Sequence, residues 1–181
     1  MTAIPNDKKY TAEEYLRTPE TNQHTELWDG EIVNFASPSV LHQQLVGRVY
    51  AAILTFISQN KGKCEPFLAP LDVVIDETHV VQPDVMVVCD PSKLDDKCCH
   101  GAPDWVIEIT STNRADDFDR KLCLYREHGV REYWIVDTDN RKVWVYDFDQ
   151  HPNVVEFYDW TDTIPVHIYG GKLTIRIEDL A

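Results

Sequence analysis

The 181-residue chain combines 43% hydrophobic residues with 31 acidic and 17 basic side chains, which leaves a net charge of −14. This composition excludes a disordered chain, and the length predicts one domain with its own core over residues 1–181. The acidic balance argues against a broad basic surface, so binding of nucleic acid would need a local basic patch, bound cations or a partner protein.

The chain begins without a recognisable targeting segment. Its first 16 residues contain no apolar signal core, which predicts a cytoplasmic protein. No apolar run approaches the roughly 20 residues of a membrane span, so we expect no membrane association.

A short helix and a hairpin are predicted next. Thr11, with Glu14 three residues later, has the pattern of a capping box. Asp29-Gly30 is a strong two-residue hairpin turn. We expect two antiparallel strands around it, over residues 25–28 and 31–36.

Residues 37–62 have the apolar spacing of a long helix. Ser37 is a suitable N-cap and Pro38 fits the first turn, while Asn60 and Gly62 are typical of a helix end. Three strand candidates follow, over residues 64–75, 80–89 and 105–111.

Residues 114–129 predict a second helix, with Phe118, Leu122 and Tyr125 on its apolar face and Gly129 at its end. Short strands are then expected over residues 131–137, 142–148, 154–160, 163–169 and 173–180. This order predicts an α/β fold in which helices pack on one mixed central β-sheet.

The five cysteines, at positions 64, 89, 98, 99 and 123, are odd in number and include no CxxC pair. As in most cytosolic proteins, we expect no disulfide framework. The motif CCH at 98–100 lacks the paired ligand spacing of a zinc site, so we interpret it as a loop; a redox or metal role is the alternative.

Two carboxylates interrupt apolar strands. Asp84 opens one strand, and Glu108 lies in the middle of the next. If these strands are neighbours, two close carboxylates in a dry site favour either a shared proton or a divalent cation, and hard oxygen ligands suit Mg²⁺ or Mn²⁺. The alternative is that Asp84 caps a loop while Glu108 pairs with an arginine.

A nearby cation completes this hypothesis. The position two residues after Glu108 is Thr110, which carries no charge. Lys121, beside the apolar face of the second helix, can extend its ammonium over the strand ends, and Asp117 one turn earlier can orient it. A solvated helix lysine is the alternative.

The segments VVQPDVMVV, PDWVIEITS and DDFDRKLCLYREHGVREYWIVD, together with ELWDGEIV and SPSVLHQQLVGRVYAAIL, resemble the Uma-two family of the PD-(D/E)XK nuclease superfamily. The resemblance covers about residues 10–178. It implies a restriction-endonuclease-like fold and a metal-binding pair at Asp84 and Glu108. Thr110 replaces the usual strand lysine, and the resemblance assigns that role to Lys121.

The resemblance also implies further site residues. Glu31 matches an additional acidic position of the family, with Glu26 as the weaker candidate. His42 and Gln43, in the first turns of the long helix, are candidates for substrate binding.

The expected activity is therefore a Mg²⁺- or Mn²⁺-dependent endonuclease that hydrolyses phosphodiester bonds of nucleic acid, with DNA as the expected substrate. A homodimer is expected because nucleases of double-stranded DNA often pair two active sites. The charge and the displaced lysine favour an alternative: a catalytically inactive nuclease-fold module with a binding or regulatory role. A third hypothesis is a structural dimer with aromatic residues of the C-terminal strands at its interface.

Overall fold

The computed structural model describes residues 2–3, 8–19, 24–35, 37–110 and 115–181, without the side chains of residues 2–3 and 115–118. Ala36 and Ser111, the last residues of two predicted strands, lie outside the described part. The side chains of Asp117 and Phe118 also lie outside it.

The described chain contains three α-helices and fourteen strands. The helices are α1 (Ala12–Leu16), α2 (Val40–Gln59) and α3 (Ala115–Glu127). The strands are β1 (Thr2–Ala3), β2 (Thr25–Trp28), β3 (Glu31–Asn34), β4 (Glu65–Leu68), β5 (Asp72–Val74), β6 (Val80–Val81), β7 (Val85–Val88), β8 (Cys98–His100), β9 (Trp105–Thr110), β10 (Glu132–Asp137), β11 (Lys142–Asp147), β12 (Val155–Asp159), β13 (Ile164–Pro165) and β14 (Thr174–Ile175).

Local signals in the sequence set several element boundaries. Thr11 and Glu14 form the predicted capping box of α1. Asp29 and Gly30 both adopt positive φ, as the tight turn between β2 and β3 requires. The N-cap of α2 is Ser39, whose hydroxyl accepts from the backbone of His42, and not Ser37 as predicted.

The described strands form two six-stranded sheets and a small two-stranded sheet, whereas a single central sheet was expected. The N-terminal sheet has the order β1-β3-β2-β6-β5-β8, and the core sheet has the order β12-β11-β10-β9-β7-β4. The α/β class is confirmed, and the core sheet is mixed because β9 and β10 are parallel while its other pairs are antiparallel.

The core sheet is covered on both faces. Val85, Ile107 and Trp134 belong to the cluster that α2 covers through Leu45 and Val49. Their neighbours along the strands belong to a second cluster, with α3 and the N-terminal sheet. Side chains alternate between these two layers, as in a strand buried on both faces.

Two predicted strands are broken where the chain passes between the sheets. Residues 64–75 divide into β4 in the core sheet and β5 in the N-terminal sheet, with Pro70 at the break. Residues 80–89 divide into β6 and β7 around Pro83. Proline lacks the N–H that a sheet ladder needs, which explains both breaks. The two crossings contact each other, since the Ala69 N–H donates to the Asp84 carbonyl over 3.1 Å.

The cysteines differ from the prediction. Cys64 and Cys89 form a disulfide, because the β4–β7 register pairs Glu65 with Val88 and so brings the two flanking cysteines together. Cys98 and Cys99 are buried in β8 and do not form a loop. The number and spacing of the cysteines do not predict these positions, because the positions depend on which strands pair.

One described helix, α2, is long and apolar enough in length and composition to cross a membrane. Its residues Leu45, Val49 and Ile53 are nevertheless buried in the protein core. Core helices of soluble proteins meet the same criterion, so this is weak support for a membrane span.

Burial along α2 generates a stability prediction. Leu45 is 0% exposed and Leu54 on the same helix is 40% exposed. Leu45→Ala should lower the free energy of unfolding by about 2 to 5 kcal/mol, because it leaves a cavity in a packed core. Urea denaturation measures this loss, and Leu54→Ala should cost less than about 1 kcal/mol. Equal losses in the two variants would contradict the assignment of the buried helix face.

Candidate active site

An open cavity of about 290 Å³ lies beside the two chain crossings. The crossings contribute Ala69, Pro70, Gln82 and Asp84 to its wall. Six further polar residues line it, from the start of the hairpin and from α2, β9 and α3: His24, Glu26, His42, Gln43, Glu108 and Lys121. The cavity therefore combines residues from both sheets with residues from the two longer helices.

Asp84 and Glu108 lie on neighbouring strands. Register pairs Val85 with Ile107, so the residues before and after this pair, Asp84 and Glu108, come opposite each other. By strand alternation both side chains belong to the layer that α3 covers. Asp84 is held at Oδ2, which accepts from the Ile109 N–H at 2.7 Å and contacts His42 Nε2 at 3.1 Å.

Glu108 is buried, and its partners come from one face of α3. Lys121 Nζ donates to Glu108 Oε1 over 2.8 Å, and the Tyr125 hydroxyl donates to the same oxygen over 2.9 Å. Lys121 and Tyr125 are four residues apart and therefore share a helix face. Lys121 is thus a buried residue that points into the cavity, and the alternative of a solvated helix lysine is wrong.

The buried charges act on one another. Burial raises the pKa of Glu108 to about 7; the Lys121 ammonium opposes this increase, while the negative charges of Asp84 and Glu26 add to it. Burial, together with the charge of Glu108, raises the pKa of Tyr125 well above its ordinary value. Tyr125 is therefore a hydrogen-bond donor to Glu108 at any physiological pH.

The additional acidic residue of the cavity is Glu26 and not Glu31. Glu31 is half-exposed, and its carboxylate accepts from Lys9 Nζ at 2.8 Å, outside the cavity lining. Glu26 is buried, and its Oε1 lies 3.9 Å from Lys121 Nζ. The register pairs Glu26 with Val33 and Glu31 with Trp28, so both carboxylates are on the same face of the hairpin, and their positions along the strands differ. Glu31 follows the Asp29-Gly30 turn directly, whereas Glu26 lies nearer the open end of the hairpin, which lines the cavity.

Glu26 is also fixed in place. Its Oε2 accepts from the Trp28 indole N–H at 2.7 Å, and its Oε1 accepts from the Gln82 backbone N–H at 2.8 Å. Both oxygens are therefore engaged. Glu26 therefore affects the cavity through its negative charge, and it holds the backbone of the second crossing at Gln82.

His42 and Gln43 reach the cavity from the start of α2. His42 is partly buried against Asp84, whereas Gln43 is exposed and stands at the opening. Thr110 is buried at the end of β9. Among the described residues, the lysine that lines the cavity is Lys121 of α3.

Comparisons with known proteins indicate the family to which this chain belongs. A family model described as "Uma2: Putative restriction endonuclease" matches residues 12–173. The chain belongs to this family. A crystal structure of a "putative nuclease belonging to DUF820" from Anabaena variabilis is similar, with a TM-score of 0.78 and 25% identity over 94% of this chain and 96% of that one. No curated protein matches the chain.

The Uma2 chain thus has the restriction-endonuclease-like fold, and it is similar over nearly its whole length to the protein described as a "putative nuclease". Sequence reasoning on this chain missed the contribution of Tyr125, which it assigned to the apolar face of α3. The available signal was its spacing of four residues from Lys121. Gln82 was also missed, because only the crossing between the sheets brings it to the cavity wall.

The charges around Glu108 predict that two substitutions shift its pKa in opposite directions. Lys121→Met should raise the pKa of Glu108 above about 7, because it removes the ammonium that favours the carboxylate. Asp84→Asn should lower it, because it removes a negative neighbour. NMR titration of the Glu108 side-chain carboxyl carbon measures both shifts. Lys142→Met, which removes an exposed lysine of β11, is the control and should leave the titration unchanged.

Proposed function

We propose that this Uma2 chain is a Mg²⁺- or Mn²⁺-dependent endonuclease that hydrolyses phosphodiester bonds of DNA. One observation carries the proposal. Asp84 and Glu108 stand opposite each other on neighbouring strands, and Lys121 Nζ lies 2.8 Å from Glu108 in the same cavity. The family description as a restriction endonuclease supports nucleic acid, and DNA in particular, as the substrate.

The donor set suits a hard divalent cation. Among the described residues, the side-chain hydrogen bonds of Asp84 fall on Oδ2 and those of Glu108 fall on Oε1. Asp84 Oδ1 and Glu108 Oε2 therefore remain as carboxylate oxygens for a metal, and such oxygens are the preferred ligands of Mg²⁺ and Mn²⁺. When bound, the ion would supply Lewis acidity and lower the pKa of a water ligand.

The surrounding side chains would prepare the two carboxylates. The Ile109 N–H and His42 fix the orientation of Asp84, and Tyr125 and Lys121 fix that of Glu108. Because donors in a buried site need no reorganisation during the reaction, this shell would favour the ionised carboxylates needed for metal binding.

Lys121 would have a second role toward the substrate. Its ammonium lies between Glu108 and Glu26 inside the cavity, at 2.8 and 3.9 Å. From this position it would stabilise negative charge developing on the phosphoryl oxygens or orient the attacking water. Glu26 would help to hold the ammonium in place through its negative charge.

The net charge of −14 limits how DNA approaches. An acidic surface repels the phosphate backbone, so bound cations and the local charge of Lys121 would have to compensate. We propose a homodimer as the active form, since cleavage of both strands of a duplex needs two such cavities.

The catalytic proposal predicts three inactive variants. Asp84→Asn and Glu108→Gln should abolish cleavage of plasmid DNA in Mg²⁺ or Mn²⁺, because each removes a metal-binding charge. Lys121→Met should reduce the cleavage rate by at least about 100-fold, the usual cost of losing one preorganised charge at a phosphoryl group. Rates would be measured at fixed low salt, with circular dichroism to check folding.

Matched controls come from exposed positions outside the cavity. Glu65→Gln on β4 and Lys142→Met on β11 should cleave at the wild-type rate. Calorimetry with Mn²⁺ distinguishes an active nuclease from an inactive nuclease-fold module. If the chain is a nuclease, the wild-type protein should bind Mn²⁺ and Asp84→Asn should lose this binding. Equal cleavage by all variants would indicate a contaminating nuclease and refute the proposed site.

A second comparison tests the acidic residue of the hairpin. Glu26→Gln should lower the cleavage rate about 10-fold or more, as for a partner that orients a catalytic group, because it removes the charge next to Lys121. Glu31→Gln should leave the rate unchanged, since this carboxylate pairs with Lys9 outside the cavity. A larger loss of rate in Glu31→Gln than in Glu26→Gln would instead favour Glu31, the acidic residue assigned from the sequence.

A further inference from the structure

A second cluster of metal-binding side chains lies outside the cavity. Asp95, from the loop before β8, approaches Cys98 and His100, which are two residues apart and share a face of that strand. None of the three lines the cavity of Asp84 and Glu108. Among the described residues this is the group whose carboxylate, thiol and imidazole ligand atoms all lie within 4.8 Å of one another.

The three ligand atoms have the spacing of a tetrahedral zinc site. His100 Nε2 is 2.8 Å from Asp95 Oδ2 and 3.5 Å from Cys98 Sγ, and Cys98 Sγ is 4.0 Å from Asp95 Oδ2. Ordinary Zn–S, Zn–N and Zn–O bond lengths at tetrahedral angles imply ligand–ligand distances of about 3.3 to 3.6 Å. Each observed distance differs from this geometry by about 0.5 Å or less, so small side-chain movements would seat the ion.

The loop holds the carboxylate in position for such an ion. Asp95 Oδ1 accepts from the backbone N–H groups of Lys97 and Cys98 at 2.7 and 2.8 Å. These bonds leave Oδ2 directed at the imidazole and the sulfur. Fixed orientation by backbone donors is the usual support of a metal-binding carboxylate.

An ion pair between Asp95 and His100 explains only part of this arrangement. A thiol is a weak hydrogen-bonding group, yet Cys98 Sγ faces both members of the pair. The neighbouring Cys99 points away, with its sulfur 3.7 Å from the Gly101 carbonyl oxygen. The three ligands span both the interior and the surface, because Cys98 is buried while Asp95 and His100 are exposed, which provides an entry path for the ion.

We propose that Asp95, Cys98 and His100 bind one Zn²⁺ ion, with water as the fourth ligand. A thiolate and a carboxylate neutralise the charge of the ion, and the sulfur selects Zn²⁺ over the harder Mg²⁺. Cys98 binds as the thiolate, and its proton passes to the buffer. The ion joins the loop at 95–97 to β8, which is the edge strand of the N-terminal sheet. This site is independent of the proposed nuclease activity.

Cobalt substitution tests the site in the chain of residues 1–181. Metal-free protein titrated with Co²⁺ should develop a near-ultraviolet sulfur-to-metal charge-transfer band that saturates at one ion per chain. Zn²⁺ should bleach this band by displacing Co²⁺. The carboxylates of the nuclease cavity cannot produce the band, because it requires a thiolate ligand. Asp84→Asn should therefore leave the band unchanged.

The vicinal cysteines provide a matched pair of variants. Cys98→Ser should abolish the band, whereas Cys99→Ser and Cys123→Ser should retain it. His100→Ala should weaken Co²⁺ binding by at least about 100-fold, since even partners outside the ligand shell are worth 10- to 100-fold. This variant at an exposed position also provides a test if Cys98→Ser does not fold.

Two results would overturn the proposal. Wild-type protein without a thiolate band at saturating Co²⁺ would show that Asp95 and His100 form an ion pair only. A band that survives Cys98→Ser, or that disappears in Cys99→Ser, would assign the thiolate to a different cysteine.

Discussion

The buried ion pair between Lys121 and Glu108 is the interaction on which the geometry of the cavity depends. Glu108 lies within a strand whose residues are all buried, where an unpaired carboxylate would be very costly. The Lys121 ammonium and the Tyr125 hydroxyl meet this carboxylate from one face of α3. These two contacts join α3 to the core sheet, together with the apolar packing of Leu124, and they bring the Lys121 ammonium to the carboxylates.

The second constraint is the double passage of the chain between the sheets. Pro70 and Pro83 interrupt what would otherwise be two long strands, and the two interruptions are joined by the bond from Ala69 to the Asp84 carbonyl. Asp84 consequently stands directly before β7, where it lines the cavity, and not within the ladder. The same passage brings the Gln82 backbone to Glu26, so that the hairpin of the N-terminal sheet contributes to a site built on the core sheet.

The contrast between the cavity and the Asp95 cluster follows from ligand chemistry. The cavity combines carboxylates with an ammonium, a set that favours hard cations and charge developing on phosphate. The cluster on β8 combines a sulfur, an imidazole and a carboxylate, which favours a softer ion. The two sets of ligands lie apart, since none of Asp95, Cys98 and His100 lines the cavity.

Much of this protein follows from the sequence alone. Local patterns determined the capping box of α1, the hairpin turn at Asp29-Gly30 and most strands of the core sheet, because these depend on neighbouring residues. The position of Glu108 within an otherwise apolar strand also singled it out. Tertiary structure alone decided the division into two sheets, the choice of Glu26 over Glu31 and the Cys64–Cys89 disulfide. Each of these depends on which distant segments become neighbours, and that is set by the packing of whole sheets and helices, to which local spacing is blind.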